Sequence, residues 1–367
     1  MPPHTRLLAG ASAAAALALM AGCAQNPSAG PADNTDPTAL VNQLEATTGK
    51  FPGQRRSGAK GICATGEFVG SAQGRALSTA SAFSGQPVPV VARFSLTGAN
   101  PAAPDNTKSQ RNMALQFNLP GGEQWLMGNI STPVFGAATP AQFLGRLASL
   151  QADPATKKAD PAKVKAFADA NPEVLLQGKY LAAQPVPASF AGLNYWGVHG
   201  FGFVNAQGAT TWGKWLFEPV GGVQGLSDDE AKAKGANFLF DDLRQRVATG
   251  QARFDFNLEL AQSGDQLDNP TVPLPAGRQK VNLGQLRITK VEAEGQGACM
   301  GVTFIPTVLP KGVVAGNDPV LAARAAPYAI SQGRRQSEAA PSNSISKSPV
   351  SLLLRLAVLQ HCLRLRA

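Results

Sequence analysis

The sequence feature that most constrains the fold is RFDFNLEL, residues 253–260, in which apolar and polar residues alternate without exception. Successive side chains of a β-strand point to opposite faces, so this alternation predicts a strand with one buried and one polar face. Such strands are typical of antiparallel sheets and barrels, which can expose one face to water. The residues predicted to face the core are Phe254, Phe256, Leu258 and Leu260, and those predicted to face away are Asp255, Asn257 and Glu259.

Further strand signals lie on both sides of this stretch. PVPVVARFSL (87–96) is rich in β-branched residues, and LGQLRITKVEA (283–293) has a similar pattern. NMALQFNLPGGEQWLMGN (112–129) alternates, turns at PGG and resumes. WGVHGFGFVNAQGATTWGKWLFEPV (196–220) is predicted to be a hairpin that turns at QG.

Three helix starts are marked by capping residues. Thr139 and Asp160 each precede a proline, which is favoured at the first helical position. Ser227 and Glu230 have the spacing of a capping box, and the helix after them is predicted to continue to Gly250. The order of strands, helices, a strand pair, a helix and strands predicts an α+β fold with an antiparallel sheet or barrel at its centre.

Residues 1–23 have the pattern of an export signal. Arg6 precedes the apolar LLAGASAAAALALMAG, which is too short and too rich in alanine for a stable membrane span. LMAGC is close to the bacterial lipoprotein cleavage pattern with Cys23 as the lipid acceptor, although Met20 stands where leucine is usual. The alternatives are a secreted protein without lipid and a cytosolic protein with an alanine-rich start.

Both ends of the chain differ in composition from its middle. Residues 24–40 are rich in Pro, Asn, Asp and Ala and are predicted to be a disordered tether. Residues 338–367 are Ser-rich and then basic and apolar, which indicates either an amphipathic surface segment or an aberrant extension. The globular domain is therefore predicted to span residues 41–337.

Charge and cysteine usage narrow the partners. Lys and Arg outnumber Asp and Glu by 33 to 24, but no basic run carries interleaved aromatic residues, so nucleic-acid binding is not predicted. Cys63 and Cys299 lie in strand-like settings near opposite ends of the domain. In an exported protein they could form a disulfide that closes a very long loop. Two buried free thiols are the equal alternative.

Histidine is scarce, which limits the chemistry. Of His4, His199 and His361, only His199 belongs to the predicted domain. A multi-histidine metal site is thereby excluded, and any Ser-His-Asp scheme depends on His199 alone. The sequence has no GxSxG, no Walker loop and no GxGxxG in a strand–turn–helix setting.

The stretch NDPVLAARAAPYAIS (317–331) is a candidate site. Asp318 is a candidate N-cap, with Pro319 at the first helical position. Arg324 and Tyr328 are four residues apart and would share a helix face. A guanidinium beside a phenol favours the phenolate, an anionic ligand suited to ferric iron. The alternative is a surface helix with a snorkelling arginine and an ordinary packed tyrosine.

This stretch, together with ARFSLTGANPAAPDN, RNMALQF and NISTPVF, resembles the haem catalase superfamily, and within it the short branch of catalase-related peroxidases of bacterial periplasms. The motifs occur in the family's order from about residue 50 to residue 337. The resemblance implies a catalase-type antiparallel β-barrel with surrounding helices, without the C-terminal domain of full-length catalases. It also implies haem b as the cofactor.

The resemblance assigns a role to each candidate residue. Tyr328 would be the proximal ligand to the haem iron, and Arg324 would stabilise its phenolate. Asp318 and His199 match the aspartate and histidine that hydrogen-bond onward from that arginine. Three arginines match those near the haem propionates, where guanidinium binds carboxylate well, and two phenylalanines match the apolar wall. These are Arg55, Arg93 and Arg111, and Phe135 and Phe143.

The distal side departs from the family's His-Ala-Lys-Gly motif. Here the sequence is RRSGAKGIC, and Gly58 stands where the catalytic histidine belongs. Ser95 matches the serine that orients this histidine, and Asn129 resembles the distal asparagine but lies one residue early relative to Pro133. Loss of a general acid–base commonly slows a reaction by ~10²–10⁴-fold.

The resemblance therefore implies a haem-dependent peroxidase that reduces hydrogen peroxide or organic hydroperoxides with an outside electron donor, impaired by the missing histidine. The alternative is a non-enzymatic haem-binding periplasmic lipoprotein with a degenerate site. In both cases the expected location is the periplasm, with a tether to the outer membrane through Cys23.

Overall fold

The computed structural model describes residues 34–339, which fold around a closed antiparallel β-barrel. The predicted signal, most of the predicted tether and most of the C-terminal segment lie outside the described residues. Eight strands form the ring in the order β10, β11, β1, β2, β3, β4, β6, β8, and pairing of β8 with β10 closes it. In chain order the strands are β1 (Gly61–Gly70), β2 (Pro87–Leu96), β3 (Arg111–Asn118), β4 (Gln124–Ile130), β5 (Val186–Pro187), β6 (Tyr195–Trp196), β7 (Phe201–Val204), β8 (Thr210–Pro219), β9 (Gly225–Leu226), β10 (Arg253–Leu260), β11 (Lys280–Val291) and β12 (Val313–Ala315).

The register predicted from RFDFNLEL is confirmed. Phe254, Phe256 and Leu258 are fully buried in the barrel, and Leu260 packs against the same core. The intervening polar residues are partly exposed. Phe256 stacks on Phe217 of β8 with ring centroids 4.4 Å apart, and aromatic pairs of this kind add about 0.5–1.5 kcal/mol to the gain from burial.

Helices lie outside the barrel. The N-caps predicted at Thr139, Asp160, Ser227 and Asp318 all accept backbone hydrogen bonds, so these helix starts are confirmed. No helix within residues 34–339 is both long enough and apolar enough to cross a membrane. The helices are α1 (Pro37–Thr48), α2 (Ala72–Leu77), α3 (Pro140–Leu150), α4 (Pro161–Ala170), α5 (Leu176–Ala183), α6 (Asp228–Ala233), α7 (Leu239–Ala248), α8 (Pro319–Ala323) and α9 (Ala325–Ala339).

The prediction of one unbroken helix up to Gly250 is wrong. It is two helices, because α6 ends at Ala233 and Gly235 has a φ of +73°. Glycine adopts this left-handed conformation without steric cost, and an α-helix cannot continue through it. The second helix, α7, then begins at Leu239.

Helix α1 begins before the predicted domain start at residue 41, and helix α9 ends after the predicted domain end at residue 337. The Asp36 carboxylate caps α1, so helix begins at Pro37, inside the segment 24–40 that was predicted to be disordered. At the other end α9 continues to Ala339, because Glu338 is bound by the Arg56 guanidinium at 2.6 Å. Ion pairing to a buried arginine thus extends the ordered domain past residue 337.

Cys63 of β1 and Cys299 form a disulfide with Cα atoms 5.4 Å apart. The bridge is therefore confirmed over the alternative of two free thiols.

Candidate cofactor and active site

A cavity of about 310 Å³ lies between strands β2, β3 and β4 and helices α1, α3, α8 and α9. This volume is in the range of small-molecule and cofactor sites. The strands offer it the face that points away from the barrel core. Arg93 and Ser95 line the cavity, for example, while Phe94 between them is fully buried in the core.

The lining of this cavity is apolar and positively charged. The described residues that line it include five arginines and no aspartate or glutamate. Such a lining fits a ligand that is mostly apolar and carries anionic groups. The arginines are Arg55, Arg56, Arg93, Arg324 and Arg335, and the apolar residues include Leu40, Val41, Leu44, Phe135, Phe143 and Phe304.

Four connected side chains, here called the proximal group, are Asp318, His199, Arg324 and Tyr328. The last three line the cavity, and Asp318 is buried behind them. Asp318 caps α8 and places a carboxylate oxygen 2.5 Å from His199 Nδ1. His199 Nε2 is 3.1 Å from Arg324 Nη1. Arg324 Nη2 donates to the Tyr328 phenol oxygen. The three contacts that connect these four side chains are therefore present, as the resemblance led us to expect.

The geometry of the proximal group fixes the protonation of His199. A guanidinium only donates, so Nε2 must accept from Arg324, and the proton is on Nδ1, which donates to Asp318. Burial, opposed by the hydrogen bond to Asp318, lowers the pKa of His199. The His199 imidazole is consequently neutral and connects the Asp318 carboxylate to the Arg324 guanidinium.

The backbone has special features next to the proximal group. A Cβ at Gly128 would lie 2.9 Å from Arg324 Nη2, so glycine there lets the guanidinium reach the sheet. Val198, directly before His199, has a φ of +49°, which is rare for a β-branched residue. Arg324 lies between α8 and α9 in right-handed helical conformation, and Tyr328 N–H donates to its carbonyl at 3.3 Å. The shared helix face predicted for Arg324 and Tyr328 is thus formed.

Outside the proximal group, three of the cavity arginines have no carboxylate partner. Burial and the nearby Arg93 and Arg335 lower the pKa of Arg55 to about 9, with a small opposing effect of Tyr328. Burial and Arg335 lower the pKa of Arg93 to about 10. Arg93 Nε is buried without a hydrogen-bond partner. These guanidiniums, Arg55, Arg93 and Arg335, would be stabilised by a ligand with carboxylate groups.

The expectation that Arg111 lies near the same carboxylates is wrong. Arg111 is fully buried but does not line the cavity. Its guanidinium donates to the carbonyls of Asp105 and Thr107, at 2.6 and 2.9 Å, and to Ser109. Arg111 therefore organises the loop before β3.

The lining also contains a second set of residues, the distal group, which we define as Gly58, Ser95, Gln110 and Asn112. Gly58 lines the same cavity as Tyr328, with a φ of +70°. A Cβ at Gly58 would lie 3.0 Å from Ser95 Oγ. The position that the family gives to a histidine is thus next to Ser95 as expected, in a backbone conformation that favours glycine.

The asparagine beside Ser95 is Asn112 and not Asn129. Asn129 lines the cavity, but its Oδ1 accepts from Trp215 Nε1 at 2.8 Å and its Nδ2 donates to the Met113 carbonyl at 3.1 Å, so its amide is bonded to the barrel core. Asn112 pairs in register with Ser95, and its Nδ2 is 3.4 Å from Ser95 Oγ. Gln110 then donates to Asn112 Oδ1 at 2.7 Å.

Several cavity residues were missed by sequence reasoning. Gln332 and Arg335 follow Tyr328 at spacings of four and seven on α9, so helical periodicity could have identified them. Phe135 and Phe143 both line the cavity, and their rings are tilted to each other with centroids 5.4 Å apart. The lining contributed by α1 carried no local signal.

Fold and site together define a class of protein: a closed antiparallel barrel with an adjoining, largely apolar cavity that is lined by a tyrosine and a cluster of arginines. The sequence model of the family described as Catalase matches residues 29–344. The chain belongs to the catalase family.

Individual relatives agree with this assignment. A catalase-related peroxidase of Synechococcus elongatus is 41% identical over 304 residues, which are 83% of this chain and 90% of the relative. A catalase-related peroxidase of Mycolicibacterium paratuberculosis is 29% identical over 296 residues, 80% of this chain and 93% of the relative. Among solved structures, a bacterial catalase superposes with a TM-score of 0.69 at 21% identity and covers 90% of this chain and 67% of its own. Catalase A from Saccharomyces cerevisiae has a TM-score of 0.70 at 20% identity, with 83% and 66% covered.

Proposed function

We propose that this protein is a haem-dependent peroxidase that reduces hydrogen peroxide or organic hydroperoxides with an outside electron donor. The observation that carries the proposal is the connected proximal group, which presents the Tyr328 oxygen to a cavity rich in arginine. Support also comes from the relatives named catalase-related peroxidase, of which the chain covers about 90%.

The residues around the cavity fit haem, and we assign it as haem b. Tyr328 would hold the iron, and Arg55, Arg93 and Arg335 would bind the propionates, which the unpartnered Arg93 Nε supports. Phe135 and Phe143 would pack against the macrocycle. When bound, haem would supply a redox-active iron for peroxide reduction.

The proximal group would orient Tyr328 as the iron ligand. Arg324 donates to the phenol oxygen and stabilises negative charge there. Neutral His199 accepts from Arg324, and Asp318 holds the histidine in the required tautomer. A buried, connected network of this kind fixes the geometry before the cofactor binds.

The distal group can orient peroxide but cannot act as its base. The Ser95 hydroxyl and the amides of Asn112 and Gln110 offer hydrogen bonds, and none of these groups titrates near neutral pH. Proton transfer between the peroxide oxygens would then depend on solvent. We therefore propose a turnover slower than a distal histidine would support.

The same observation favours a second candidate, a non-enzymatic haem-binding protein. It would keep the proximal group and the arginines and lack turnover because of Gly58. The two candidates share their cofactor and differ in the reaction with peroxide.

We further infer that the protein is exported to the periplasm and anchored to the outer membrane through Cys23. The cleavage pattern at LMAGC and the Cys63–Cys299 disulfide support export, because disulfides persist in oxidising compartments. Metabolic labelling with a radioactive fatty acid, compared between the natural protein and Cys23→Ala, tests the anchor.

The function is tested by reconstitution of the full chain with haemin, followed by absorption spectra and peroxide consumption with an added one-electron donor. Stoichiometric haem with a tyrosinate-type spectrum and donor-dependent consumption would support the peroxidase. Haem binding without consumption would support the second candidate. Absence of haem binding would refute both.

A further inference from the structure

We propose that the Cys63–Cys299 disulfide is a positioning element of the cofactor site, which holds the Arg55 guanidinium where it binds a carboxylate of the cofactor. The inference rests on the proposed haem function, because that function supplies the carboxylate.

Arg55 is held by the turn of residues 297–302, which contains Cys299. Its Nη2 donates to the carbonyls of Cys299 and Val302 at 3.0 and 2.8 Å and lies 3.5 Å from that of Met300. Its guanidinium carbon is 6.0 Å from the centre of the Phe304 ring. Arg55 lines the cavity, and its other nitrogens are free to bind a ligand there. The position of the turn therefore sets the position of the charge.

Apart from the disulfide, few contacts hold this turn in position against the barrel. The backbone hydrogen bonds formed by the N–H groups of Met300, Gly301 and Val302 all end within residues 297–299. Ala298, Met300 and Gly301 are exposed, whereas Cys299 is fully buried. Cys299 is consequently the anchor of this turn, and the disulfide joins the anchor to β1.

On the barrel side the disulfide lies behind a second cavity arginine. Cys63 pairs in register with Arg93 of β2. The cysteines pack in a small cluster with Val91 and Phe304, and Phe304 lines the cavity. The turn comes so close to β1 that a Cβ at Gly297 would lie 2.8 Å from Cys63 Cβ.

Electrostatics explains why such a restraint matters. Arg55 is partly buried, and its desolvation together with the nearby Arg93 and Arg335 lowers its pKa. Its hydrogen-bond acceptors are carbonyls of one turn. Repulsion favours movement of Arg55 toward solvent when the turn is free to move. With both cysteines 2% exposed or less, the bridge is out of contact with solvent reductants and acts as a permanent restraint.

The test is a binding cycle with four full-length proteins, all prepared without cofactor: the natural protein, Arg55→Gln, Cys63→Ala/Cys299→Ala and the triple variant. Each is titrated with haemin and with haemin dimethyl ester, which lacks the carboxylate charge. We expect Arg55→Gln to bind haemin about 10- to 100-fold more weakly, the loss expected for a charged hydrogen bond. The cysteine pair should lose a smaller factor, about 3- to 10-fold.

Two comparisons separate positioning from general stability. The cysteine effect should vanish in the Arg55→Gln background, because the charge to be positioned is gone. It should also vanish with the dimethyl ester. Equal weakening for haemin and its ester, additive effects, or unchanged haemin affinity would overturn the inference and leave the disulfide a stabilising cross-link. If the natural protein does not bind haemin, the proposed function fails as well.

A variant that keeps both cysteines covers the case in which the cysteine pair does not fold. Gly297→Ala pushes the turn away from Cys63, and the positive φ of +99° at this position adds strain. Gly264→Ala, at φ +88° with open space around it, is the matched control. We expect Gly297→Ala to weaken binding of haemin and not of its ester, and Gly264→Ala to change neither. Equal behaviour of the two variants would contradict the inference.

Discussion

The proximal and distal groups differ in the chemistry of their connected polar side chains, because only the proximal group contains side chains that can titrate. In the proximal group every side chain has a partner, from Asp318 at 2.5 Å from His199 to Arg324 on Tyr328. In the distal group Ser95 has one contact of 3.4 Å, and the adjacent Gly58 contributes no side chain. Under the proposed function, the proximal group would hold the cofactor and the distal group would lack a residue that moves a proton. We therefore expect cofactor binding and turnover to be separable properties of this protein.

The largest expected effect comes from giving the distal group a base. Gly58→His should raise the rate of peroxide consumption by ~10²–10⁴-fold. Because φ at Gly58 is +70°, any side chain there is strained, at a cost of ~1–2 kcal/mol. Gly58→Ala carries the same strain without an imidazole and is the control. Steady-state rates of the three proteins decide, and an equal rate for both variants would mean that the imidazole plays no part.

Removal of the proposed iron ligand in the proximal group should weaken haem binding. Tyr328→Phe is expected to weaken haem retention by more than ~100-fold, because loss of residues that merely support a ligand already costs ~10–100-fold. Tyr180→Phe is the matched control, since Tyr180 packs on Trp196 and does not line this cavity. Haem content after gel filtration measures the effect. Equal retention in both variants would show that another group holds the iron.

The two asparagines give a finer comparison. Asn112→Ala should weaken binding of cyanide to the ferric haem protein by about 3- to 10-fold with little change in stability, as expected for one hydrogen bond. Asn129→Ala should instead lower stability by ~1–3 kcal/mol, because it leaves Trp215 Nε1 without an acceptor. Cyanide titrations and urea unfolding separate the two effects. The opposite pattern would return the distal role to Asn129.

The smallest expected effect is the pH dependence due to His199. Its folded pKa lies below the ordinary value of 6.5 because it is buried. Its contribution to stability is therefore complete above pH 6.5 and is lost as the pH falls toward the lowered pKa, since the unfolded chain then binds more protons. The slope is at most about 1.4 kcal/mol per pH unit. Urea unfolding from pH 7.5 to 5.0 should show this loss, and His199→Gln should flatten the curve. An identical slope in that variant would assign the titration elsewhere.

Local sequence signals predicted many of the elements and part of the site, although they did not predict the break between α6 and α7. Alternation over residues 253–260 predicted the core face of β10, and capping residues predicted the helix starts. Both patterns depend only on residues that are close in the sequence. The four-residue spacing of Arg324 and Tyr328 predicted their contact for the same reason. Resemblance to a family added the partners Asp318 and His199, which no local pattern could pair.

Tertiary structure alone decided which candidates meet. Arg111 was assigned to the cavity and is bound to its own preceding loop, while Arg335 was overlooked and lines the cavity. Asn112 lies beside Ser95 because of the register between β2 and β3. The disulfide joins residues that are 236 positions apart in the sequence, and His199 contacts Asp318, which is 119 positions away. A side chain's rotamer and partners depend on the packing of distant segments, whereas helix caps and strand faces depend on adjacent residues. The sequence by itself thus determined the elements of this protein, and the closed barrel decided which of their side chains form the site.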